Sequence, residues 1–374
     1  MNVLRVVLAG LFGAIAAACD RPPQQEPASD FAVLAQAAEG YTRAEKGRVP
    51  RFPEDHGAHP DYRIEWWYLT ANLQDAKGRA YGAQWTLFRT AVSPPDPVEP
   101  PVATQHSQIY MAHFALTWPD GHTAFQRYAR GEREPDESRA GVIASPFAAW
   151  LDDWSLHSTS SGWLPLKAQA RQESHKLELS LDSDRPLVLQ GEQGFSQKHP
   201  QGGGSYYYSQ PFLQAAGELT IGGESVAVSG RAWLDHEWSS QFLQPDQAGW
   251  DWFALHLESG EKLMLFRLRQ HESSQQSNYR HGVLISPEGI SFALEPSLIN
   301  FRVLETEMVA GRALPLYWKI ELPEIGREVE VRATHPDQWM EVDFPYWEGS
   351  VTVSGKDPGS RGVGYLELTG YPVK

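Results

Sequence analysis

Apolar and polar positions alternate along most of this chain. The runs starting at Trp66 (WWYLTANL), Ala80 (AYGAQWTLFR), Ile109 (IYMAHFALTW), Lys176 (KLELSLDS), Gly217 (GELTIGGESVAVSG), Lys262 (KLMLFRLR), Arg327 (REVEVRA) and Gly364 (GYLELTGY) change face at nearly every residue. Gly, Pro, Asp and Asn separate them. Alternation over four to eight residues bounded by turn formers predicts strands joined as hairpins. Long stretches with a helical period are scarce. Many short strands at this spacing mean a sandwich or an antiparallel barrel, so the fold class is all-β.

The pattern also repeats at a coarser scale. Glu65-Trp66-Trp67 opens a hairpin whose return strand ends Leu87-Phe88-Arg89, and Asp251-Trp252-Phe253 opens another whose return strand ends Leu265-Phe266-Arg267. An acid, a tryptophan and an aromatic ahead of matching hairpins predict two related β-domains in tandem. The chain has 374 residues, more than one ordinary core usually holds, which points the same way. Two loops interrupt the pattern. Ser93 to Gln105 is too proline-rich for a central strand, and Gln197 to Ser205 carries three consecutive glycines suited to a hinge or lid.

The N-terminus departs from this pattern. Arg5 precedes an apolar run from Val6 to Ala18, followed by Cys19. The run is too short for a stable membrane span and reads as a secretory signal peptide over residues 1–18. Small residues ending in cysteine resemble a bacterial lipoprotein signal, which implies cleavage before Cys19 and lipidation there. Cys19 is the single cysteine of the chain, so the exported protein has no internal disulfide to form. Residues 19–44 are then the lipidated cysteine and a Pro/Gln/Ala-rich linker. The expected location is the bacterial cell envelope, lipid-anchored and facing the periplasm. Without the signal, 31 basic residues (32 − 1, for Arg5) stand against 47 acidic ones, a net charge of −16. That argues against nucleic acid and against docking on anionic lipid through a basic patch.

Candidate chemistry concentrates in Gly230 to Leu257, GRAWLDHEWSSQFLQPDQAGWDWFALHL. Trp233, Trp238, Trp250 and Trp252 surround Asp235, His236, Glu237 and Asp251. Ionisable groups among large aromatics suit a site that shifts carboxyl pKa values and grips an apolar ligand. Three consecutive polar residues on a pleated strand cannot all face water. Elsewhere the usual catalytic spacings are missing: there is no G-x-S-x-G, HExxH or G-x-G-x-x-G, and no cysteine metal site. No metal and no cofactor is expected. His56 and His59 form the closest histidine pair, which alone is a weak metal signal, and His59, His113 and His236 with an acid are a further ligand set.

The residues converge on acid–base work in an apolar pocket. Adding water across an isolated C=C bond begins with protonation, and the carbocation must be shielded until water captures it. A carboxylic acid buried among tryptophans stays protonated, and the ring faces stabilise the cation. Asp235, Glu237, Asp251 and Glu65 are the candidate acids. Trp66, Trp67, Trp238, Trp250 and Trp252 are candidate walls, and His236 orients an acid or positions the water. The same set suits a hydrolase with an activated water, or ligand binding alone.

The chain resembles the AttH-like, carotenoid 1,2-hydratase-related lipocalin-like proteins. The resemblance rests on Arg63-Ile64-Glu65-Trp66-Trp67-Tyr68, Ala112-His113-Phe114-Ala115-Leu116, Asp153-Trp154-Ser155-Leu156, Tyr206-Tyr207-Tyr208-Ser209, Gly230 through Trp238, and Gly249-Trp250-Asp251-Trp252-Phe253. It implies two tandem lipocalin-like barrels, residues 45–230 and 231–374. It also implies a hydratase-like activity on an isoprenoid, or a hydrolase, with His236, Trp238, Trp250 and Asp251 as the nearest matches to the hydratase residues. Asp235, His236, Trp238, Asp251 and Glu65 are thus the expected catalytic groups. Trp66, Trp67, His113, Tyr208, Trp250 and Trp252 are the expected ligand contacts. The expected partner is a long apolar molecule, isoprenoid or lipid. The competing reading is a non-catalytic, lipid-binding accessory lipoprotein beside an ABC-transporter permease.

Overall fold

The computed structural model describes residues 39–94, 108–131, 138–271, 274 and 277–374. The expected signal peptide, Cys19 and the linker up to residue 38 lie outside them, as does most of the proline-rich stretch. Within the described residues the chain is all-β, its strands joined by turns and three-residue 3-10 helices.

Among the described residues the strands form two sheets, of thirteen and ten strands. The first curls into a nearly closed barrel, and the second is a half-barrel. At the centre of the first, the strand Ile64–Gln74 lies between Ala80–Ala91 and Glu224–Ser239, and the latter pairs onward with Gly204–Ile221. At the centre of the second, Gln247–Leu257 lies between Lys262–Gln270 and Gly362–Leu368, which pairs onward with Tyr346–Gly355. Every one of these pairings is antiparallel, as the hairpin spacing predicts.

The repeat read from the sequence is visible in the register. Glu65 lies opposite Arg89 in the first sheet, and Asp251 lies opposite Arg267 in the second. The expected boundary at 230/231 needs correction, however. It falls inside Glu224–Ser239, a strand that pairs along its length within the first sheet. Gly230 looks like a break in sequence, but its missing side chain admits the neighbouring backbone: an added Cβ would lie 2.0 Å from the Asn72 carbonyl oxygen. The first sheet therefore extends to Ser239.

Large aromatics pack each barrel interior. Trp67, Trp85, Trp154 and Phe114 pack inside the first, and Phe253, Trp318 and Trp347 inside the second. A third cluster joins the outer faces of the two sheets: Ile64, Tyr68, Tyr207 and Trp233 from one, Trp252, Met264, Phe266 and Tyr365 from the other. A buried side chain of Phe266's size contributes roughly 1.5–3 kcal/mol, so this seam is a second core and not a loose contact. Asn72 donates to the Gly364 carbonyl at 2.9 Å and the Tyr365 hydroxyl to that of Ala83 at 3.2 Å. The approach is close enough that a Cβ on Gly82 would meet the Tyr365 hydroxyl at 2.6 Å.

Candidate functional site

Both faces of the strand Glu224–Ser239 are buried near its end, and this arranges the chemistry. Alternation sends Leu234, His236 and Trp238 into the first barrel, and Trp233, Asp235 and Glu237 into the seam. The neighbouring strand obeys the same rule: Glu65 and Trp67 face inward, and Ile64, Trp66 and Tyr68 face the seam. Across the seam, Trp250 and Trp252 face Asp235 while Asp251 points away. The consecutive residues Asp235, His236 and Glu237 thus serve two separate sites, back to back.

The seam site is a cavity of about 170 Å³, walled by Trp66, Tyr68, Phe88, Met111, Phe242, Trp250, Trp252 and Phe266, with exposed Phe344 at its rim. Asp235 lines it. The Tyr207 hydroxyl and the Trp233 indole each donate to its carboxyl at 2.7 Å, and the Ser209 hydroxyl donates as well. Burial pushes the Asp235 pKa up to about 7, against the pull of those three donors. Glu367 lines the facing wall and accepts from the Trp250 indole at 2.7 Å. Burial, with Asp235 and Glu237 nearby, raises it to about 8. Glu348 stands directly across from Glu367 on the adjacent strand, and burial followed by that neighbour holds it well above the usual carboxylate range. Glu367 on one wall, with Glu348 beside it, and Asp235 on the other thus favour their protonated forms.

Glu237 completes the polar lining. The Lys198 ammonium, 2.7 Å from its Oε1, pairs with it, and the Ser205 hydroxyl donates to the same oxygen. His113 lines the cavity beside Phe88, with Nδ1 2.9 Å from the Tyr346 hydroxyl. Burial lowers it to about 3, so the ring is neutral.

The second site lies inside the first barrel and is an ion network. Glu65 Oε1 meets His236 Nε2 at 2.8 Å and His59 Nδ1 at 2.6 Å, and Oε2 accepts from Arg89 Nε at 2.7 Å. Burial alone would raise the Glu65 pKa, but the charges of His59 and Arg89 hold it well below the ordinary value. Burial lowers His236 to about 4, so it is a neutral ring that donates from Nε2 to Glu65. Its Nδ1 accepts from Tyr208, 3.1 Å away, and the same hydroxyl lies 2.8 Å from His56 Nδ1. Trp67 stacks on His236 and Trp238 on His59. Ligand atoms of His59, Glu65 and His236 lie within 4.8 Å of one another, the geometry a metal would need. Each nitrogen already has a hydrogen-bond partner, and His113, grouped with them from sequence, faces the seam.

Residues 43–371 match the family model described as AttH-like. The chain belongs to the AttH-like family. The crystal structure of a putative AttH from Nitrosomonas europaea is 34% identical over 88% of this chain and 100% of its own, with a TM-score of 0.76. Kievitone hydratase from Nectria haematococca shares the fold at 16% identity, covering 88% of this chain and 96% of its own, with a TM-score of 0.62. CghA with Sch210972 does so at 13%, covering 91% and 98%, with a TM-score of 0.52. No curated protein matches the chain.

On this AttH-like scaffold the expected site residues divide. Asp235, Trp66, His113, Trp250 and Trp252 border the cavity, and Glu65 reaches its edge while its carboxylate anchors the inner network. His236, Trp238, Trp67 and Tyr208 belong to the inner network. Asp251 joins neither: Arg267 Nε donates to it at 2.7 Å, the Tyr371 hydroxyl does the same at 2.7 Å, and Arg269 Nε lies 3.2 Å away. It is the second sheet's counterpart of Glu65, a buried acid neutralised by the arginine across the hairpin. Sequence reasoning missed Lys198, Glu348 and Glu367. Tyr207 and Ser209 sat in a stretch it had marked, and their register opposite Glu237 and Asp235 gives them their place.

Proposed function

We propose that this AttH-like protein binds an apolar ligand in the seam cavity and hydrates a C=C bond in it by carboxyl acid catalysis. The observation that carries the reading is Asp235: a fully buried carboxyl, its pKa raised by burial to about 7, facing an aromatic cavity. Such a group donates a proton to an alkene carbon and takes one back from the attacking water within the same pH range. Trp66, Trp250 and Trp252 line the cavity around the cation formed between those steps, which aromatic rings stabilise. Glu367 is the second acid: it accepts one indole hydrogen bond where Asp235 accepts three, so it holds its proton to higher pH. Kievitone hydratase, by its name a hydratase, has the same fold and adds support at the level of fold.

Size narrows the ligand. A cavity of about 150 Å³ holds benzene, so 170 Å³ encloses one ring or one branched end of an isoprenoid. The remainder of a longer chain extends past the rim at Phe344. A protein tethered through Cys19 would meet such a chain at the membrane surface, and the lone cysteine behind an apolar run supports that tether.

The test is turnover of isoprenoid alkenes, from prenyl alcohol to squalene, in heavy-oxygen water. A product carrying the heavy oxygen, formed by the native protein and lost in Asp235→Asn, supports hydration. Saturable binding without any product makes the protein a carrier.

A further inference from the structure

Lys198 has no part in that chemistry, yet it is the most elaborately housed side chain of the cavity. It is 2% exposed, and its ammonium lies 2.7 Å from Glu237 and 3.1 Å from the Ser196 hydroxyl. The rings of Phe266, Phe242 and Tyr207 surround it, with centroids 4.4, 4.8 and 5.2 Å from Nζ. Its backbone is fixed on both sides: the amide donates to the Gly203 carbonyl at 3.1 Å, and the carbonyl accepts from Gln247 at 3.0 Å. Gly202 and Gly203, at φ +108° and +84°, make the turn that holds this segment against the seam. Arg89, the other cation at the cavity, is committed to Glu65, Gln108 and two backbone carbonyls.

A structural role accounts poorly for this. Desolvating two charges offsets most of their attraction, so a buried pair contributes little net stability, and apolar side chains of the same volume would close the wall as well. What the pair supplies is a primary amine in an apolar cavity with a proton acceptor in contact. Burial lowers the amine's pKa, with Glu237 opposing.

We propose that Lys198 is a carbonyl-binding residue whose amine forms an imine with an apolar aldehyde or ketone in the seam cavity. The inference rests on the reading that the cavity takes an apolar ligand, and adds the ligand's functional group. Nζ gives a proton to Glu237 Oε1 and its lone pair attacks the carbonyl carbon, forming the C–N bond. The nitrogen proton then passes to the carbonyl oxygen, giving a carbinolamine. Glu237 returns its proton to that hydroxyl, the C–O bond breaks, and water leaves. The product is an iminium paired with the Glu237 carboxylate, held by the three rings that hold the ammonium. Ammonium plus aldehyde has become iminium plus water, with no oxidant or reductant. Release is the reverse, by hydrolysis.

The experiment uses the native protein with benzaldehyde, a probe of the cavity's size, and cyanoborohydride to reduce any imine, followed by peptide mapping. Benzyl alcohol, which cannot form an imine, reports occupancy through tryptophan fluorescence. The expected adduct appears on Lys198 before any surface lysine, benzyl alcohol suppresses it, and Lys198→Arg loses it while still binding benzyl alcohol. Saturable benzyl alcohol binding with labelling confined to surface lysines overturns the proposal and leaves the cavity reading standing. No saturable binding and no Lys198 adduct overturns both. Should Lys198→Arg fail to fold, suppression by benzyl alcohol in the native protein still decides: a Lys198 adduct indifferent to the alcohol is not formed in the cavity.

Discussion

Replacing Asp235 with asparagine separates the cost of its charge from everything else it does. Moving a carboxyl from 3.8 to about 7 corresponds to roughly 4 kcal/mol between its ionised and neutral forms. A folded-state pKa above the unfolded one means that the native protein binds the extra proton. The stability this gives is fully present below the unfolded value and is lost as pH rises through the folded value. Asparagine mimics the neutral acid. Its Oδ1 can accept from Trp233 and Ser209 as Asp235 Oδ1 does, and its amide can donate to Tyr207, whose hydroxyl now receives. Near pH 4 the variant and the native protein should therefore be close in stability. By pH 8 the variant should be the more stable, by up to roughly 4 kcal/mol less whatever the altered hydrogen bonds cost. Urea unfolding of both proteins across this range measures the difference; buried acids remote from Asp235 cancel in the subtraction, and Glu367, whose pKa Asp235 helps to raise, shifts it in the same direction. A difference that stays flat with pH would refute the raised pKa and the acid role built on it. Stability gained with turnover lost is the signature of a functional residue.

Three further substitutions test the rest of the assignment. Glu65→Gln leaves Arg89 buried without its counter-charge and His59 with Asp55 alone, and should cost about 3–5 kcal/mol. Because the Glu65 pKa is depressed, its contribution is present above the unfolded value and lost as pH falls, so melting temperatures of the two proteins should converge in acid. Asp251→Asn should also destabilise, since Arg267 and Arg269 lose their partner, but benzyl alcohol affinity should stay within about threefold because Asp251 does not line the cavity; a complete loss of binding in a folded variant would return it to the site. Trp250→Phe removes the one indole that favours the Glu367 carboxylate, so the high-pH limb of activity should move upward, and an unchanged profile would show that Glu367 does not govern it.

The strands were legible because alternation is written in the residues themselves, and so was the tandem repeat, whose acid and arginine fall opposite each other in both hairpins. The assignment of faces was harder. A strand with one wet face declares its sides, whereas Glu224–Ser239 ends with both faces buried, so nothing in AWLDHEW tells which residues share a site. Asp235 and His236 therefore read as one constellation although the sheet separates them. Asp251 read as the equal of Asp235 because its pairing with Arg267 is a fact of register. Glu348 and Glu367 were passed over for the opposite reason. In WEGSV and LEL a glutamate between core residues reads as solvent-facing, and only the docking of the first sheet turns that face into a buried wall.

That docking also explains why the proposed chemistry sits in the seam. A lipocalin-like barrel ordinarily offers its interior to a ligand, but here tryptophans and the Glu65 network fill the first barrel, and Trp318 and Trp347 fill the second. Apart from a more polar recess of the first sheet beside Arg89, Gln108, Tyr110 and Trp150, the room that remains lies where two outer faces meet, and neither sheet alone could make the seam site. An exposed Asp235 would ionise like any aspartate, and an exposed Glu367 likewise. Each becomes an acid at neutral pH because the other sheet excludes water from it, and the raised pKa of Glu367 includes the proximity of Asp235 and Glu237 from across the seam. Loosening the seam should therefore lower both pKa values together. Gly82→Ala, which places a Cβ against the Tyr365 hydroxyl, applies that strain without touching the cavity. If the carboxyls are acids by virtue of the closed seam, this remote substitution narrows the pH range of activity from its alkaline side. A variant that stays folded and loses activity equally at every pH would show that the seam sets the ligand's position and leaves the proton chemistry to the local hydrogen bonds.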